Sequence, residues 1–96
     1  MATDPKRIEL RIDADPRLAA AAGGAVRYLA DASGMPEDVC REFQEATIRA
    51  CLEAFESSNA RSHIVELCRF ADRLEVVVDS KGSNAIRIAR PVGSPR

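Results

Sequence analysis

Lys6-Arg7-Ile8-Glu9-Leu10-Arg11-Ile12-Asp13 runs directly into Ala14-Asp15-Pro16-Arg17, and this junction decides the fold class. Ile8, Leu10 and Ile12 alternate with Arg7, Glu9 and Arg11, which predicts a strand over 6–13 with one wet face. Asp15 is an N-cap and Pro16 suits the first helical position, so a helix must follow. Leu18, Ala22, Ala25, Val26 and Leu29 then recur at helical spacing up to Ser33-Gly34, which places that helix over 16–32. Its middle, Ala19 to Ala25, is almost free of side chains, and Gly23 and Gly24 each cost about 1 kcal/mol relative to alanine. Tight packing against a second helix or the sheet is the expected return. The glycines lie inside the helix rather than at its start, which argues against a phosphate loop.

Pro36-Glu37-Asp38 opens a second helix with acidic residues where the macrodipole favours them. Val39, Cys40, Phe43, Ala46, Thr47, Ala50, Cys51, Ala54 and Phe55 form its apolar face, which Ile48 and Leu52 widen. Residues 57–61 are a loop. Strands follow over 63–70 and 74–79, joined by Ala71-Asp72-Arg73 as a hairpin. Lys81-Gly82-Ser83-Asn84 makes a further turn, residues 85–89 a last strand, and 91–96 a tail whose prolines cannot pair in a sheet centre. The order βααβββ predicts an α+β, two-layer sandwich with both helices on one face of a mainly antiparallel four-stranded sheet. The opposite face is expected to be the more polar.

The 96 residues make a single domain, 1–96. Fourteen Lys and Arg against fifteen Asp and Glu are mixed along the chain, leaving no footprint for nucleic acid. No apolar run spans a membrane and no signal peptide opens the chain, so a cytoplasmic protein is expected. Cys40, Cys51 and Cys68 have no CxxC spacing and fall on or beside apolar faces, so no metal site is expected. His63 begins a strand without a nucleophile elbow nearby and reads as a partly exposed strand residue.

The run Ile8-Glu9-Leu10-Arg11-Ile12-Asp13-Ala14-Asp15-Pro16-Arg17, the long helix, Ser33-Gly34-Met35-Pro36-Glu37-Asp38 and the second amphipathic helix resemble the opening of the anti-sigma-factor serine kinases. These have the GHKL (gyrase and histidine-kinase-like) ATPase fold. The approach from Arg69 through Asp72 and Val77 to Asp79 resembles that family's adenine-binding box. The resemblance covers roughly residues 7–80. In the family an N-box glutamate acts as base, an asparagine holds magnesium, and an Asp-x-Gly-x-Gly aspartate recognises adenine.

Aligned with the N-box, Arg49 stands at the glutamate position and Glu53 at the asparagine position. A guanidinium has no lone pair with which to act as a base. Asp79 matches the adenine-binding aspartate, but Lys81 and Ser83 replace the two glycines and Gly82 is out of step. The lid is missing, so nothing encloses a triphosphate and its magnesium. The resemblance therefore implies a minimal, GHKL-like pseudo-ATPase with no catalytic residues, cofactor or metal, in which Arg49, Glu53, Asp79 and Gly82 are vestigial. It further implies a protein-binding regulator in bacterial partner switching, whose partners are sigma factors or STAS-domain proteins, and a homodimer. Apolar surface that a longer member would cover with its lid and following helix points to helix one or the hairpin edge as the contact. The alternatives are an active ATP-binding kinase using Glu45 as base with Asp79 on adenine, and an unrelated α+β domain.

Overall fold

The computed structural model describes residues 6–79 and 85–92. Its elements are β1 (Lys6–Asp13), α1 (Pro16–Ala32), α2 (Glu37–Ser57), β2 (Ser62–Arg69), β3 (Arg73–Val78) and β4 (Ile86–Pro91). The strands form one antiparallel sheet in the order β1-β2-β3-β4. This is the βααβββ sandwich. The turn at 81–84, including Gly82, lies outside the described residues.

Local chemistry sets the helix ends. The Asp15 carboxylate accepts from the Arg17 N–H at 2.9 Å, and Pro16 needs no donor of its own. At the other end Gly34 takes φ 85°, its N–H donates to the Asp31 carbonyl, and the Met35 N–H donates to that of Ala30. This Schellman closure brings buried Met35 back onto the core and turns the chain into α2.

Cross-strand register sorts the sheet residues into two faces. Ile8, Leu10 and Ile12 share a face with His63, Val65 and Leu67, and this continues through Val76 and Val78 to Ile88 and Ile86. Against it lie Val26 and Ala30 of α1 and Phe43, Ala50 and Ala54 of α2, in one core cluster. Phe43 is fully buried. On α1 the stripe is rotated from the expected one. Ala19, Gly23 and Ala30 are buried whereas Ala25 is exposed, because Gly23 rather than Ala25 meets the second helix. On α2 the expected face holds, except that Leu52 is exposed.

Gly23 is the tight point between the helices. A Cβ added there would stand 2.5 Å from Ile48 Cγ1 and 3.1 Å from the Gln44 carbonyl oxygen, while one at Gly24 would meet nothing within 4 Å. Arg27 of α1 bonds Gln44 at 3.1 Å and also reaches Glu37, clamping the same pair of helices at their surface.

Among the described residues no helix covers the other face. There Arg7, Glu9, Arg11, Glu66, Glu75, Arg73 and Arg87 surround Cys68 and Val77, both of which are buried low between the long side chains. Glu75 is held by Arg73 Nε at 2.9 Å and an Arg87 nitrogen at 2.7 Å. Pro91 departs from expectation. It is the last residue of β4, paired with Arg73, which proline tolerates at the end of an edge strand.

Two outcomes are expected. Gly24→Ala should raise stability by about 0.5–1 kcal/mol through helix propensity. Gly23→Ala should lower it, since its methyl meets a stiff β-branched side chain and a backbone oxygen. Thermal melts of the two variants check the pair. The Arg73 guanidinium bonded to Glu75 holds that carboxyl below the usual glutamate range. Its stabilising contribution is therefore complete above that range and lost as pH falls through the lowered value. Glu75→Gln should flatten the acid limb of the stability profile modestly, because solvent screens the pair, and leave the strongly acidic end unchanged.

Candidate functional site

The described family-like positions fall on two elements. Glu45, Arg49 and Glu53 follow one another at single-turn spacing along the exposed side of α2. Asp79 stands at the end of β3, where the Asp79 N–H donates to the Ile64 carbonyl at 2.7 Å and the residue takes φ 58°. That left-handed conformation is one that aspartate adopts more readily than most non-glycine residues.

The Asp79 carboxylate is already engaged. His63 Nδ1 lies 2.9 Å from each of its oxygens. The expectation that His63 is partly exposed is corrected here, since the residue is 2 % exposed. Its position explains this. Counting back from Leu67 and Val65 in steps of two places His63 on the helix-facing side of β2, where the Phe55 ring lies 5.0 Å away at a tilt of 49°. The period-two signal was present in the sequence. The strand-start position masked it.

The pair fixes the imidazole by giving Nδ1 an acceptor, which leaves Nε2 buried and without a partner. A histidine oriented by a carboxylate has the form of a catalytic dyad, but the nitrogen that would take a proton from a substrate is sealed against the core. Cys51 belongs to the same neighbourhood. Burial pushes its thiol up to about 11, with the Asp79 charge adding to the effect, so it stays protonated and weakly nucleophilic at neutral pH. Burial, followed by the charge of Asp31, raises Cys40 as well. All three cysteines are buried and unbridged.

Beside the dyad an open groove of about 240 Å³ is lined by Arg11, Ser58, Ala60, Ser62, His63, Ile64 and Asp79. Neither Arg49 nor Glu53 borders it. Among the described residues no group of three or more His, Cys, Asp or Glu side chains comes together to hold a metal ion. Nor is any helix there long and apolar enough to cross a membrane. No protein-family model matches the chain, and no curated protein matches it.

Asp79 ties the start of β2 to the end of β3 through both its side chain and its backbone. Asp79→Ala should cost about 1–3 kcal/mol, because it strands a buried imidazole N–H and places alanine at positive φ. Asp79→Asn keeps an acceptor and tolerates the left-handed backbone, so it should cost less. Denaturant titration of both variants checks that order.

Proposed function

We propose that this chain is a non-catalytic protein-binding module, related to the anti-sigma serine kinases and acting in the cytoplasm within a bacterial partner-switching pathway. The observation that carries the reading is the engagement of Asp79. The carboxylate aligned with adenine recognition is bonded to buried His63, and the residues aligned with base and magnesium ligand are on the exposed side of α2 and do not line the groove that Asp79 borders. An adenine amino group would have to share this carboxylate with the buried His63 imidazole, whose other nitrogen has no partner.

The uncovered sheet face supports binding to another protein. It forms one side of a molecule only 16 Å through its thinnest dimension, and its arginines and glutamates cover buried Val77 and Cys68. Such an open surface of guanidinium and carboxylate groups suits a macromolecular partner better than a small ligand that must be enclosed. A sigma factor or a STAS-domain protein is the partner class that the resemblance supplies.

Calorimetric titration with ATP and magnesium should give no binding heat, and labelled ATP should transfer no phosphate to a STAS-domain protein. A dissociation constant in the low micromolar range, roughly −8 kcal/mol, would overturn the reading. Introducing glutamate at position 49 together with asparagine at position 53 should restore neither activity, since Asp79 stays engaged by His63.

A further inference from the structure

Tyr28, at 77 % exposure, is the most exposed large apolar side chain among the described residues. It stands on the solvent side of α1, one turn after Gly24, and the two border an open groove of about 350 Å³ with Arg27, Asp31 and Glu37. A Cβ added at Gly24 would meet nothing within 4 Å, so no contact inside the molecule calls for glycine there. Glycine weakens the helix at this position, and what it provides is depth to the groove beside the tyrosine ring. Ala21 and Ala25 are exposed as well, at the three- and four-residue spacing that keeps them in line with Gly24 and Tyr28.

The groove carries an excess of negative charge. Arg27 is committed within the chain, donating to Gln44 at 3.1 Å and to Glu37. Asp31 has no cation within ion-pair distance among the described residues. It also lies in the last turn of α1, which contains no basic residue, although the macrodipole favours a cation at that end. Buried Cys40 feels the same excess. Burial raises its thiol most, and the charges of Asp31, Glu37 and Asp38 raise it further against the opposing charge of Arg27.

We infer that this groove receives an arginine side chain presented by another protein, its guanidinium lying against the Tyr28 ring and donating to the Asp31 carboxylate. Arginine fits better than lysine, because a planar guanidinium stacks on an aromatic ring and offers paired N–H groups to a carboxylate. The cation would complete the end of α1 that its own sequence leaves without one. An open groove of this kind does not enclose a free small cation, so the remaining contact area comes from the flanking chain of the partner, lying along Ala21 and Ala25. Exposed tyrosine and incoming arginine are also the residue types that anchor protein interfaces. The surface belongs to the helical layer rather than to the uncovered sheet face, and it uses none of the residues aligned with the kinase motifs.

Amide-resolved NMR titration of the full chain is the test. The probes are a blocked pentapeptide with arginine flanked by leucine and alanine, its citrulline counterpart, which keeps the shape without the charge, and agmatine. The arginine peptide should shift the amides of Gly24, Tyr28 and Asp31 along a saturable curve, with half-saturation on the order of 10 mM or below. The citrulline peptide should not, and agmatine should bind several-fold more weakly because it lacks the flanking chain. Tyr28→Ala and Asp31→Asn should each weaken binding about threefold or more. Gly24→Gln should abolish binding by filling the groove, yet melt no lower than the wild type, because the position is open and glutamine is the better helix former. An arginine peptide that gives no saturable shift, a citrulline peptide or agmatine that matches it, or folded variants that bind as the wild type does would each overturn the inference. Shifts of the same three amides on concentrating the protein alone would give the groove to a second copy and overturn it too.

Discussion

The close approach of Gly23 to Ile48 is the constraint around which the rest of the molecule is arranged. Two helices of 17 and 21 residues must lie side by side over a sheet of only four strands. A side chain at position 23 would collide with Ile48 and crowd the Gln44 carbonyl, so either α1 must move away from α2 or Ile48 must turn aside. The glycine weakens α1 as an isolated helix, yet it lets Val26 and Ala30 join the same core cluster as Phe43 and Ala50. Alanines at positions 19, 22 and 30 serve the same end, since a helix with short inward side chains lies close to what it packs on.

Covering one face of the sheet leaves the other to manage by different means. The outer face uses long charged side chains in place of a second helical layer. Arg73 and Arg87 meet on Glu75, and the Arg73 guanidinium also lies 4.0 Å above the Phe70 ring. These contacts tie neighbouring strands and shield Val77, but their electrostatic strength is reduced by water. They limit exposed apolar area rather than supply a second core. Stability therefore rests on the helix-facing side, where Phe43, Leu67, Leu74 and Val76 are almost completely enclosed.

Most of the fold was legible in the sequence because it is written in period and punctuation. Strict alternation over 6–13 marked β1, while Asp15-Pro16 and Ser33-Gly34 marked both ends of α1. The phase of α1 was less legible, because alanines line it nearly all round and provide little hydrophobic contrast. Gly23 was visible as a point of close packing, but not its partner Ile48, which depends on tertiary register. The site was less legible still. Asp79 could be singled out as a carboxylate ending a strand, but its bond to His63 spans sixteen residues and depends on the β2–β3 pairing. His63 carried a signal in its alternation with Val65 and Leu67, although a lone histidine at a strand start gave no reason to place a polar ring in the core.

The same economy gives the two edges of the sheet different characters. Among the described residues no further helix or strand caps either edge, and an uncapped edge presents unpaired N–H and C=O groups to any passing strand. On β4 a terminal proline and unopposed arginines discourage pairing. On β1 the charges alternate in sign along the outer face, so they neither repel every strand nor attract every strand. They select by register. An alternating edge of this kind admits only a strand whose charges are offset in the complementary phase.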